Sequence, residues 1–104
     1  MINARFYQKK GLYCGFVVSG HAGGRFGQDI VCAGVSSAVM LTINTMTDFL
    51  VSDCTVKIEK NIAALKLNDY KDNIDCRALI FSLKTHLQLL NEENGGINII
   101  IKNI

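Results

Sequence analysis

Residues 53–67 read DCTVKIEKNIAALKL, and the fold is decided by how this stretch is read. Cys54, Val56 and Ile58 alternate with Thr55, Lys57 and Glu59, the period of two that marks a half-buried strand over 53–60. Residues 62–67 form its hairpin partner, with Ala63, Leu65 and Leu67 sharing one side. What flanks this central hairpin sets the class.

Downstream, Asp72 reads as a helix N-cap, with Asp75 at the third helical position favouring the positive end of the helix. Cys76, Ile80, Leu83, Leu87 and Leu90 make the apolar stripe, and Asn94, Gly95 and Gly96 end the helix. Residues 97–102 (INIIIK) close the chain as a β-branched strand.

Upstream, Asp29 reads as the N-cap of a helix running to about Phe49. Val31, Val35, Ala38, Thr42, Met46 and Phe49 would form its buried stripe. Before it, Ile2, Ala4 and Phe6 define a strand over 2–7, residues 8–11 a turn, and LYCGFVVS at 12–19 a second strand. The order is β-β-α-β-β-α-β. It implies an α+β fold, with two helices on one face of a mostly antiparallel sheet. The 104 residues make a single domain, 1–104, with no repeat, linker or low-complexity segment.

Apolar residues are 49% of the chain, which excludes a disordered tail protein. The formal charge is +2, with basic residues scattered along the sequence, so no direct nucleic-acid binding is expected. No run approaches the roughly 20 apolar residues of a membrane span, so no membrane is expected. The start, MINARFYQKK, lacks a signal-peptide core, which points to the cytoplasm. Cys14, Cys32, Cys54 and Cys76 read as reduced thiols, and none is spaced CxxC, so no structural zinc or other metal is expected.

Chemistry concentrates in one place. Residues 20–28 (GHAGGRFGQ) hold four glycines in nine positions, between the second strand and the first helix. His21 lies where the strand stops, and Cys32 in the first turn of the helix. A thiol attacks a carbonyl only as the thiolate, which the positive end of a helix favours. A nearby imidazole can take the proton, and exposed N–H groups, those of Cys32 and Ala33 being the candidates, can hold an oxyanion. Asp29 can cap the helix and also orient His21. Two other readings of these residues stay open: Cys32 as a packed core thiol, and the glycines as a phosphate cradle. The cradle reading lacks both the Walker lysine and a GxGxxG pattern. Cys14, Cys54 and Cys76 fall in strand or stripe patterns and read as packing. His86 reads as a surface residue.

The run GHAGGRFGQDIVCAGVSSAV resembles the signature of the ribosomal-processing cysteine proteases, the Prp family. The matching pieces are Gly20-His21-Ala22, a glycine-rich gap, Gly27, Asp29 to Ala33, and Val35-Ser36. The gap is about one residue shorter than the family's, and Gly34 stands where alanine is usual. The resemblance implies an α+β homodimer that needs no cofactor. It implies removal of a short N-terminal extension from a bacterial large-subunit ribosomal protein of the L-twenty-seven type. It makes Cys32 the nucleophile and His21 the base, with Asp29 and Ser36 in supporting roles. Ala22, Gly23, Gly24, Arg25, Phe26 and Gly27 would form a loop that covers the site around the substrate peptide. Two rival classes are a ribosome-associated binding module using the glycine-rich loop and a thiol redox sensor using Cys32.

Overall fold

The computed structural model describes the backbone of residues 1–20 and 29–104, and the side chains of 1–20 and 30–104. Its elements are β1 (Ile2–Lys9), β2 (Leu12–Ser19), α1 (Asp29–Asn44), a π-helical turn (Thr45–Phe49), β3 (Cys54–Glu59), β4 (Ile62–Leu67), α2 (Ile74–Asn94) and β5 (Ile97–Asn103). The sequence order is therefore observed, and the class is α+β.

The five strands form one sheet in the order β3-β4-β2-β1-β5. Three neighbour pairs are antiparallel, and β1 with β5 is parallel. The hairpin that opened the reading is present, with Val56 opposite Leu65 and Ile58 opposite Ala63. In the first hairpin the turn narrows to Lys10 and Gly11, both at positive φ (53° and 79°). Two such residues make the type I′ turn that matches strand twist, so both strands run to the turn itself.

One face of the sheet is covered. Ile2, Ala4, Phe6, Phe16, Val18, Ala63, Leu65, Leu67 and Ile97 share it and are buried, together with Val35, Val39, Ile43 and Met46 of the first helical segment and Cys76, Ile80, Leu83 and Leu87 of α2. Phe6 and Phe16 sit on neighbouring central strands with ring centroids 6.2 Å apart. Each fully buried side chain of this kind contributes about 1.5–3 kcal/mol. Ile58, on the edge strand, is 52% exposed, so the covered face ends before the far end of β3.

Three local expectations change. The helix after Asp29 is α-helical only to Asn44, and the π turn rotates Phe49 out of the stripe to 82% exposure. The N–H of Leu50 donates to the Thr45 carbonyl at 3.0 Å, the five-residue step of a π turn. Thr42 and Thr45 return their hydroxyls to the carbonyls of Ala38 and Leu41, both at 2.8 Å, a back-bond that loosens a helix. The rest of the expected stripe holds, with Val35, Thr42 and Met46 buried and Val31 and Ala38 packed against the core, and Cys32, Val39 and Ile43 are buried beside it. Second, Ile30–Phe49 is long and apolar enough to cross a membrane by length and composition, with mean hydropathy 1.5. Ser, Thr and Asn interrupt its apolar residues and Asp48 is its single charge, so the segment holds no continuous apolar run of that length. Third, Asn73 rather than Asp72 is the N-cap of α2, and its side chain makes no capping bond. The Arg77 guanidinium instead donates to the carbonyls of Tyr70 and Lys71, both at 2.6 Å, and fixes the chain entering α2. At the other end Gly95, at φ 72°, closes α2 by donating to the Asn91 carbonyl at 2.7 Å, as the glycine pair implies.

Candidate active site

The end of β2 and the start of α1 frame the site. Gly20 closes β2 at φ 81°, a conformation that favours glycine. A Cβ placed there would lie 2.6 Å from the Met1 carbonyl oxygen. Its N–H donates to the Asn61 carbonyl at 3.0 Å. The residue before His21 is therefore held by the start of β1 on one side and the β3–β4 turn on the other. Sequence reasoning treated Gly20 as one of several loop glycines. Its neighbours in space, Met1 and Asn61, are 19 and 41 residues away, and no local signal names them.

Cys32 lies in the first turn of α1. Its thiol is free and 9% exposed, at the edge of the core cluster. Ser36 follows one turn later and is half-buried. The first turn revises the expected oxyanion donors. An α-helix beginning at Asp29 uses the N–H of Ala33 to bond the carbonyl of residue 29. The unpaired N–H groups of the helix end are then upstream, at residues 29–31, rather than on Ala33. His21, the loop Ala22–Gly27 and the side chain of Asp29 lie outside the described residues.

The other three cysteines differ from Cys32 in their surroundings. Burial pushes the Cys14 thiol above its ordinary value, with Lys9 and Lys66 partly pulling it back. Burial also raises Cys54, aided by Cys76 and Asp53. Both are thereby kept as thiols, the poor nucleophilic form. Cys76 is fully buried, its sulfur 2.8 Å from the Ser52 hydroxyl oxygen. Cys32 and Cys76 both stand in the first turn of a helix, but Cys76 is sealed in the core at 0% exposure whereas Cys32 lies at the core's edge at 9%. Among the described residues, no group of three or more His, Cys, Asp or Glu side chains is arranged to hold a metal ion. A cleft of about 670 Å³ opens on the uncovered face of the sheet, and it contains none of the expected site residues.

The model of the family described as "Cysteine protease Prp" matches residues 1–98. The chain belongs to the Prp family. It is a cysteine protease, and the resemblance read from Gly20 to Ser36 holds over nearly the whole chain. Among solved structures, SMU.848 from Streptococcus mutans is 27% identical, with TM-score 0.81, covering 100% of this chain and 99% of that one. The ribosomal processing protease Prp from S. aureus, in complex with a substrate peptide, is 22% identical, with TM-score 0.87, covering 98% of this chain and all of that one. The same S. aureus Prp with a covalently linked product peptide is 21% identical, with TM-score 0.83 and the same coverage. These two share the fold with this chain. No curated protein matches it.

Proposed function

We propose that this protease removes a short N-terminal extension from a large-subunit ribosomal protein of the L-twenty-seven type, using Cys32 and His21 as a dyad. The observation that carries the reading is the position of Cys32: a free thiol in the first turn of α1, eleven residues beyond the histidine of the family signature. The S. aureus Prp seen with a substrate peptide, and with a covalently linked product peptide, supports a peptide substrate.

His21 takes the Cys32 proton, and the sulfur attacks the scissile carbonyl carbon. The carbonyl electron pair moves to oxygen, and the free N–H groups at the start of α1 hold that oxyanion. Collapse breaks the C–N bond, and His21 returns the proton to the departing amine. Water then adds to the thioester, with His21 again as base, and frees the carboxylate and the thiol. Asp29 and Ser36 support the dyad, and the loop Ala22–Gly27 closes over the peptide and excludes water. No cofactor is required, because the thiol and imidazole supply the nucleophile and every proton transfer.

The protease acts in the cytoplasm, where ribosomal proteins are assembled, and as a homodimer. Support for the dimer comes from the outer side of the first helix. Ile30 and Leu41 are 80% and 70% exposed, and no charged residue occurs from Ile30 to Thr47. Solvated helix faces normally carry charges.

The test is purified protein with a peptide spanning the extension of the ribosomal protein from the same genome. Wild-type protein cuts it once, and Cys32→Ala and His21→Ala do not. Iodoacetamide at neutral pH labels Cys32 ahead of the other three thiols. A binding module would instead show slow labelling of Cys32 and intact peptide.

A further inference from the structure

Charge segregates by layer in this molecule. The strands carry Arg5, Lys9, Lys57, Lys66 and Lys102, with Glu59 their single acid. The helical segments carry Asp29, Asp48, Asp75, Glu92 and Glu93 against Arg77 and Lys84. The sequence scatters the cations over almost a hundred residues, and the fold collects five of them on one surface. The reading of no nucleic-acid contact rested on that scatter.

The strand register arranges the surface in rows. One row crosses the sheet as Thr55, Lys66, Gly15, Tyr7 and Lys102. The next crosses as Lys57, Ala64, Val17, Arg5 and Ile100. At about 4.8 Å between strands, Lys66 and Lys102 start about 14 Å apart, as do Lys57 and Arg5. Between them the floor is Gly15, Val17 and Ala64, small residues that leave the cleft of about 670 Å³. Along β1 the face reads Arg5, Tyr7, Lys9: cation, aromatic, cation, at steps of about 6.7 Å. The field of this surface is felt inside the protein, since Lys9 and Lys66 both draw down the Cys14 thiol. Glu59 offsets little, because its pair with Lys57 at 3.5 Å is largely solvated.

We propose that this uncovered basic face of the sheet binds single-stranded nucleic acid, with Arg5, Lys9, Lys57, Lys66 and Lys102 holding phosphates and Tyr7 stacking a base. An acidic polypeptide fits less well. The floor of the cleft is β1, β2 and β4, strands paired on both sides, and only its margin at Thr55 and Lys57 reaches the edge strand β3, so a peptide lying across the floor finds no backbone groups to pair with its own. A nucleic-acid backbone needs cations and a stacking surface, and the face supplies both. A second copy of the chain would bring like charges together.

The experiment is fluorescence anisotropy of a labelled single-stranded RNA decamer with the full-length protein at 50 mM salt. Saturable binding is expected, weakening as salt rises. Tyr7→Ala lowers affinity by about five-fold or more, from the loss of one stacked base. The double variant Arg5→Glu/Lys66→Glu lowers it at least ten-fold and makes the log–log salt slope shallower by roughly 0.7 per removed phosphate contact. Lys84→Glu, in the helical layer, leaves binding unchanged. Cleavage of a short peptide is unchanged in the double variant. Melting curves verify folding, and Arg5→Gln/Lys66→Gln replaces the double variant if it does not fold. The proposal is overturned by absence of saturable binding, by charge-reversal variants that bind like wild type, or by tighter binding of an Asp/Glu decapeptide than of the RNA.

Discussion

On the covered side of the sheet, Phe6, Phe16, Val18 and Ala63 are fully buried beneath the helices. On the other side, alternate residues of the same strands are Arg5, Tyr7, Val17 and Ala64. The covered side is dictated by packing: every residue there must be apolar and fit its neighbours. The uncovered side has only to stay wet, and charges of either sign would serve. Its excess of five cations over one anion is therefore not a requirement of folding. The two sides also divide the chemistry. Cys32 belongs to the helical layer and Cys14 to the cleft on the other side, each at the edge of solvent.

The sharpest way to break that division is to remove one thiol from each side. Cys32→Ala is expected to abolish cleavage of the extension peptide, and Cys14→Ala to leave kcat/KM within about two-fold. Loss of a nucleophile removes several orders of magnitude in rate. Equal losses in both variants would erase the distinction between the sides. The measurement is cleavage by mass spectrometry, with melting curves to show that both variants fold.

A smaller effect comes from the glycine that joins the sheet to the site. Gly20 and Gly11 share nearly the same φ, 81° and 79°, but a Cβ at Gly11 meets nothing within 4 Å. Alanine at either position incurs the left-handed penalty of about 1–2 kcal/mol. Only at position 20 does it also meet the Met1 carbonyl oxygen at 2.6 Å. Gly20→Ala should therefore lose more stability than Gly11→Ala in urea melts. It should also lose peptidase activity, because Gly20 immediately precedes His21, the proposed base. Equal losses of stability would show that the Met1 contact relaxes.

Most of this architecture was legible because it rests on periodicity. The stripe of α2 and the alternation of 62–67 report burial directly, whereas the alternation of 53–60 gives the strand and its pairing but not its burial, since Ile58 at the sheet edge stays 52% exposed. The position of Cys32 in the first turn of α1 was legible because it follows a glycine run and a capping aspartate. Three features were not. The π turn depends on side chains returning to the backbone, which hydrophobic period does not encode. The role of Gly20 depends on Met1 and Asn61, which meet it only through sheet pairing. The basic face depends on which side each lysine takes, and parity along one strand says nothing about its neighbours until the order β3-β4-β2-β1-β5 is known.

Alkali distinguishes the sides by a smaller effect still. Burial raises the Cys14 thiol above its usual value near 9.0. The folded protein therefore holds that proton when the unfolded chain has released it. The associated stability is complete below pH 9 and is lost as pH rises through the folded value. Stability measured by urea should fall above pH 9 in wild type and fall less steeply in Cys14→Ala. The raised Cys54 thiol adds a contribution of the same sign, so Cys14→Ala/Cys54→Ala should be flatter again. A slope identical in all three proteins would show that neither thiol resists ionisation.

The smallest effect expected is a gain, and it lies two residues from Cys32. Gly34 follows Cys32-Ala33 and sits inside α1. A Cβ there would meet the Leu90 side chain of α2 at 3.5 Å and 3.8 Å, ordinary contact distances. Its backbone is not in the left-handed region, so alanine incurs no strain. Alanine also restricts the unfolded chain more than glycine does. Gly34→Ala should thus stabilise by about 0.5–1 kcal/mol. That is a rise of about 4–8 °C in Tm per kcal/mol for a domain of this size. Peptidase activity separates two consequences. If α1 is rigid in the native state, kcat/KM is unchanged, because a Cβ at position 34 meets only Leu90 of α2. A fall in kcat alongside the higher Tm would mean that the turn carrying Cys32 must flex during turnover.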